Sequence, residues 1–323
     1  MATTSSGNRV YAAAHFALEL DGKQEVSLFR SIEGGGVKAD VMTYQFGDHK
    51  GKEAFLKTHS LGKPKFEDIK LQVGMSMSIP FYFWMKAFFA GDPMRKNGAI
   101  IAADFYYKER ARRTFTDAMI SELTFPKLDG SDKNACYMNI TMSVESITFE
   151  KGTGHALPAQ AQKFDRDQKH WTANNFELTI AGLEDACKRV TKVDAITIKQ
   201  KVMEHHVGGQ KAAIKVPSPV EFPNITFYVP EADAQPFMEH MMRRVGYGKE
   251  MGNGQVRDET GLHGTLQTYD NEMFPLFSLT FEGCDILSVT PDKADAGSDE
   301  IKLVKIEMYT EKIDFKYEEL EPE

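Results

Sequence analysis

The sequence predicts a mainly β fold: two tandem β-sandwich or small-barrel domains, each with one helix. Three observations predict it. The chain has 323 residues, and one domain per roughly 100–200 residues gives about two. Its short apolar runs alternate with polar residues at the period of two that a half-buried strand requires. The order of those runs, with a single strong helix among them, occurs twice.

The repeat can be followed element by element. Residues 16–20 alternate as a strand does, and residues 176–180 do the same 160 positions later. Residues 32–37, leading to Val41 and Met42, are matched at an offset of 161 by residues 193–196, leading to Val202 and Met203. A polar, glycine-bearing stretch follows in each half, residues 47–63 and 204–215. Both stretches exceed what a hairpin needs, so they are predicted to be contact-making loops. Tyr44, Asp48, Lys50, Lys52 and Lys57 are the candidate contact residues of the first; His205, His206 and Lys211 are those of the second. Strands over residues 66–73 and 222–229 come next, offset by 156.

Each of these strands leads into a helix. In the first half Ser78 can cap it and Pro80 sits near the first helical position. Phe81, Trp84, Met85 and Phe88 form an apolar face, and Gly91 ends it. In the second half Asp233 can cap, Pro236 lies in the first turn, Phe237, Met241 and Val245 form the face, and Gly246 is the stop. Trp84, Phe88, Phe237 and Met241 are therefore the candidate structural core. The halves close alike, with residues 140–149 matching 306–315 at an offset of 166. Turn-rich links, residues 127–134 and 291–299, precede these and predict a polar hairpin in each half. The predicted limits are an N-terminal arm over 1–11, domains over 12–151 and 173–318, a polar linker over 152–172 and an acidic tail over 319–323.

Composition is that of an ordinary globular protein, 41% hydrophobic and 27% charged. A net charge of −8 argues against a nucleic-acid coat, which needs clustered Lys and Arg. It leaves room for a channel that nucleic acid passes through without binding. Cys136, Cys187 and Cys284 are widely spaced and odd in number, which predicts reduced thiols in a chain made in the cytoplasm. The N-terminus has no apolar signal segment, and no run approaches 18 apolar residues, so no membrane insertion is expected.

Candidate chemistry is sparse. The segment from Ser31 to Gly36 lacks phosphate-loop spacing and is expected to be a turn. Adjacent His205 and His206 point to opposite faces of a strand, and His240 stands apart, so no metal site is expected. Asp129, Asp132, Asp295 and Asp299 lack the closing glutamate of a calcium loop and suit turns. Arg110, Arg112 and Arg113 form a short basic run, expected to be a solvated face or a subunit contact. No nucleophile elbow or zinc-protease motif occurs. No catalytic residue, cofactor or metal is expected, and the chain is not expected to be an enzyme. An assembly protein, a carbohydrate- or cargo-binding β module and a hydrolase on a β scaffold remain the competing classes. The repeat favours the first.

In these features the chain resembles the tail-tube proteins of contractile phages and the Hcp-like inner tubes of injection systems. The resemblance is carried by the opening strand with its Asp21-Gly22 turn, the segment from Phe29 to Gly36 and the loop around Tyr44. It continues through the strand ending at Val73-Gly74, the helix bearing Trp84, and residues 123–129 followed by 138–149. The second half shares the pattern by repetition, without a helix tryptophan or a Pro-Lys pair at the matching turn. The resemblance implies tube-type domains, six of which form a ring around a lumen, with the long loop touching the next ring. It implies self-assembly, sheath, baseplate-hub or tail-end partners, and DNA or effector only as transiting cargo. A tube-to-hub or tube-end adaptor is the alternative. Three two-domain chains would supply six domains; six chains would place the second domains in another layer.

Overall fold

The computed structural model describes residues 15–25, 29–46, 56–75, 78–157, 171–208, 213–246, 261–292 and 301–318. The first half contains β1 (His15–Leu20), β2 (Lys23–Glu25), β3 (Phe29–Gly34), β4 (Val37–Phe46), β5 (Leu56–Phe66), β6 (Ile69–Val73) and α1 (Ile79–Phe89). It continues with β7 (Lys96–Ala103), β8 (Glu109–Phe125), β9 (Leu128–Asp129), β10 (Met138–Ser143) and β11 (Ser146–Lys151). The second half contains β12 (Trp171–Ile180), the short α2 (Glu184–Cys187), β13 (Lys192–Val193), β14 (Ile196–His205), β15 (Ile214–Glu221) and β16 (Ile225–Pro230). There follow α3 (Gln235–Arg244), β17 (Leu262–Asp270), β18 (Pro275–Pro291), β19 (Leu303–Tyr309) and β20 (Lys312–Tyr317).

The expected mainly β, tandem architecture is what the chain adopts. In the first half β1, β7, β8, β10, β6 and β3 are successive neighbours, β11 pairs with β8, and β4 pairs with β5. In the second, β12, β17, β18, β19, β16 and β13 are successive neighbours, β20 pairs with β18, and β14 pairs with β15. Each pairing of the first list has its counterpart in the second, and the registers agree. Ile140 faces Leu123 as Ile306 faces Val289. Ile32 faces Leu71 as Val193 faces Phe227. A register slip interrupts β8–β10 and β18–β19 at the same step, beside Met142 and beside Ile286. A β-bulge is a specified feature of a strand, so its recurrence marks one fold used twice.

Long β8 and β18 each bend to serve two sheets, which wrap a core. Alternation decides the faces: Ile69, Leu71 and Val73 of β6 are buried while Lys70 between them is exposed. At the end of β3, Gly34 and Gly35 have φ of +81° and +73°. A Cβ on Gly34 would lie 2.1 Å from the Asp68 carbonyl oxygen. Only glycine permits this turn, and it sends β4 out of the sheet into a two-stranded arm with β5.

Several expectations are corrected. Residues 56–66 form β5, so the C-terminal part of the predicted first loop, 56–63, is strand; its remainder, residues 47–55, lies outside the described residues. Likewise β14 and β15 occupy both ends of the predicted second loop. Trp171, placed in the linker, belongs to β12 and is buried edge-on to Phe277 at 5.1 Å between ring centres. Ser78 holds the N-cap position without a capping hydrogen bond. Asp233 does not cap α3; its carboxylate accepts from Arg189 at 3.0 Å. Val245 is exposed rather than part of an apolar face. The arginine run is engaged within the chain: Arg110 pairs with Asp104, Arg112 with Glu19 and Glu109, and Arg113 donates to the Gly34 carbonyl at 2.8 Å.

Candidate assembly interface

The two halves are joined by strand pairing. The end of β8 has β10 on one side and β14 on the other. Ile196, Thr197, Ile198 and Lys199 of β14 face Phe125, Thr124, Leu123 and Glu122. Ile196 and Ile198 are buried, and Thr124 and Thr197 share a hydroxyl hydrogen bond of 3.1 Å. In return, β9 of the first half adds to the second sheet, with Leu128 facing Val193 and Asp129 facing Lys192. Burial alone would raise the Asp129 carboxyl, but hydrogen bonds from Ser131 and the charges of Lys127 and Lys192 bring it down to about 2.

The arm of the second half is fastened by one lysine. Lys215 on β15 is almost wholly buried, and its ammonium donates to Ser143 Oγ at 2.8 Å and to Asp68 Oδ1 at 3.4 Å. Its backbone N–H donates to Glu145 Oε1 at 2.8 Å, and Arg95 donates to both Glu145 and the Lys215 carbonyl. A buried charge is tolerable only when paired and hydrogen-bonded. This cluster therefore locks the arm in one position on the first half.

Aromatic packing completes the seam. Helix α1 buries Phe81, Tyr82, Trp84, Met85, Phe88 and Phe89, two faces rather than one. Trp84 faces its own half and donates from Nε1 to the Met94 carbonyl at 3.0 Å. Tyr82 and Phe89 face the second half. Phe89 stacks on Phe315 at 5.7 Å, and Tyr82 lies 5.8 Å from the same ring. The Tyr317 hydroxyl donates to the Met75 carbonyl at 2.7 Å. One continuous apolar cluster thus runs through both halves.

The candidate residues fall in several places. Trp84, Phe88 and Phe237 are buried, while Met241 is half-buried against the core. Tyr44 is exposed on β4, and His205 and His206 are exposed where β14 ends. Lys57 lies in β5, and Asp48, Lys50, Lys52 and Lys211 lie outside the described residues. Among the described residues no cluster of His, Cys, Asp or Glu is arranged to hold a metal, and no helix is long and apolar enough to cross a membrane. All three cysteines are free and buried. Burial pushes the Cys187 thiol up to about 12 and that of Cys136 to about 11. Lys215 and its partners carry no signal in the sequence, because a lysine on an outer strand ordinarily points to water.

Residues 12–148 match the family described as T4-like virus tail tube protein gp19. Solved structures with similar parts include the anti-feeding prophage tube-terminating cap, 19% identical, covering 47% of this chain and 100% of that one at a TM-score of 0.39. Another is the PVC sheath-tube complex of an extracellular contractile injection system, 15% identical, covering 47% and 99% at 0.39. A third is Hcp1 from Flavobacterium johnsoniae, 18% identical, covering 43% and 96% at 0.26. No curated protein matches the sequence.

Proposed function

We propose, from the match of residues 12–148 to the contractile tail-tube family and the repetition of that half, that this chain is a structural subunit supplying two tube domains to one ring of a phage tail or injection-system tube. The observation that carries this is the repeated strand pairing, in which both halves share one topology and one set of registers. The two halves sit side by side through β8 and β14, as neighbours in a ring would. Three chains then supply six domains. The domain limits proposed are 12–151 and 173–318, extended to Leu157, which packs beside Ala17, Ile101 and Ala103, and back to Trp171, where β12 begins.

The sheet face opposite the core is the proposed lumen wall. It displays Lys70, Asn139, Thr141, Glu122, Thr124 and Lys199, of mixed sign. Such a wall presents no basic stripe to hold a polyanion, so DNA or an effector can pass without being retained. Sheath, baseplate and tail-end proteins are the proposed partners, and the chain is made in the cytoplasm before incorporation. The exposed Tyr44, His205 and His206, with Asp48, Lys50, Lys52, Lys57 and Lys211, are proposed contacts to adjoining rings. The unlike helix positions Trp84 and His240 favour an adaptor station as the second reading, because unlike halves suit a junction between unlike layers. The mass of a single purified ring tests the stoichiometry. Three times the chain mass of 36.3 kDa is expected; six times that mass would move the second domains to another layer.

A further inference from the structure

Two of the surfaces that join the halves, the β8–β14 edge and the aromatic contact on α1, have equivalents elsewhere on the chain that no described residue covers. By strand register, residues 122–125 of β8 correspond to 288–291 of β18, since Leu123 faces Ile140 as Val289 faces Ile306. In the first half this segment is paired on both edges. In the second it is paired on one edge, with β19, and no described strand of the chain occupies the other. The donor side behaves in the same way. Lys199 faces Glu221 as Lys38 faces Lys65, so Ile198 corresponds to Val37. Ile198 is fully buried on β8, whereas Val37 is 46% exposed.

The aromatic part of the seam repeats this. Phe149 faces Arg113 as Phe315 faces Leu279, so Phe149 corresponds to Phe315. Phe315 is fully buried against α1, whereas Phe149 is 62% exposed. Phe81 and Phe237 begin corresponding helix faces, which matches Tyr82 with Met238 and Phe89 with Val245. Met238 and Val245 are exposed where Tyr82 and Phe89 are buried. The exposed apolar side chains of the first half are thus donors, those of the second half are acceptors, and the open edge lies beside the acceptors.

We infer that one chain joins the next by repeating its own internal seam: the β4 segment around Val37 and Lys38 of one copy adds to the open edge of β18 at residues 288–291 of another. Phe149 of the first copy then packs on Met238 and Val245 of α3. The partner is a second copy of this chain, chosen by continuity with the seam already formed inside each copy. The contact is heterologous, so it propagates until rotation closes it. It also covers a sheet edge that would otherwise invite indiscriminate pairing. This inference rests on the ring-forming role proposed above and specifies which surfaces meet.

A disulfide tests it. Directly opposed strand residues lie within the Cα separation that a disulfide spans, roughly 4.4–6.8 Å. Lys38→Cys with Ser288→Cys places thiols at the intermolecular register; Lys199→Cys with Glu122→Cys places them at the internal one, where the native pair faces directly. Both positions in the first variant are outside the core, and the native cysteines are buried. The internal pair should close within single chains. The intermolecular pair should link chains, giving covalent species up to the number of chains in the assembled particle, with at least tenfold more product than either single cysteine. In a second variant, Phe149→Asp should abolish assembly while leaving the circular dichroism spectrum unchanged. Particles of unchanged mass that neither cross-link nor respond to Phe149→Asp would overturn the inference and leave the ring role standing. A chain that closes the internal pair but stays monomeric at tens of micromolar would overturn both.

Discussion

Phe315→Ala is the substitution that asks most directly whether the two halves share a core. The Phe315 ring is fully buried, stacked on Phe89 at 5.7 Å and within 5.8 Å of Tyr82, Phe125 and Phe277. Three of those four rings come from the first half. Truncating a buried phenylalanine costs about 3–5 kcal/mol, through lost transfer energy and the cavity left behind. Four aromatic neighbours, each pair contributing about 0.5–1.5 kcal/mol beyond area burial, place the expected loss near the upper end. The cavity is walled by a helix and strands from both halves, so it cannot collapse without moving both. Trp84 and Trp171, the chain's two tryptophans, report on one half each. Urea unfolding followed by tryptophan fluorescence in Trp84→Phe and Trp171→Phe backgrounds should show both midpoints falling together when Phe315 is truncated. The matched control is Phe149→Ala, the equivalent position left exposed, which should change the stability of the isolated chain by no more than about 0.5 kcal/mol. A Phe315→Ala loss below about 1 kcal/mol, or a midpoint shift seen only by Trp171, would refute the shared core.

Trp84→Ala should destabilise by about 3–5 kcal/mol, because it empties a fully buried site and strands the Met94 carbonyl; the same urea titration reads it. Asp129 titrates at about 2 in the folded chain against an ordinary 3.8. Its stabilising contribution is therefore complete above pH 4 and is lost as pH falls toward 2, and Asp129→Asn should flatten stability across that window. Cys136, Cys187 and Cys284 are buried with their thiols raised, so a disulfide reagent at pH 8 should label none of them in the native chain and all three in urea; rapid native labelling would place one at the surface.

The internal repeat was legible in the sequence because its carrier, hydrophobic alternation, is also what sets strand register. The offsets of 160, 161, 156 and 166 between apolar runs are those that relate the paired strands of the two halves, as a one-residue slip would turn every buried side chain to water. The arms were less legible. Residues 56–66 carry lysines, a histidine, a glycine and a proline with little alternation, and among the described residues β5 pairs only with β4. Such a strand is specified by its partner rather than by a core face. Trp171 was hidden for a related reason: Thr172, Asn174 and Asn175 separate it from the alternating run, and its ring packs edge-on against Phe277 across the sheet.

The interface was illegible for a deeper reason. Phe149 and Phe315 hold the same place in corresponding strands, each two residues before the strand's end and two after an isoleucine. One is buried and the other is 62% exposed. Hydrophobic alternation does not distinguish the two segments; the difference lies in whether α1 stands opposite, as it does for Phe315. Burial here belongs to the pair of surfaces, and within one chain the second half has found its partner while the first has not. A duplicated domain that sits beside its own copy displays one completed contact and, among the described residues, one pair of matching open surfaces, and the completed contact is the template for the open pair. Differences between the copies then set direction. Where the internal seam has Lys215 on Asp68, the corresponding positions hold His59 and Asn224, so the internal and external seams are not interchangeable. A lysine buried without its aspartate partner would be costly to desolvate, which disfavours docking the second half's arm on another second half. Alternation of first and second halves follows from that asymmetry.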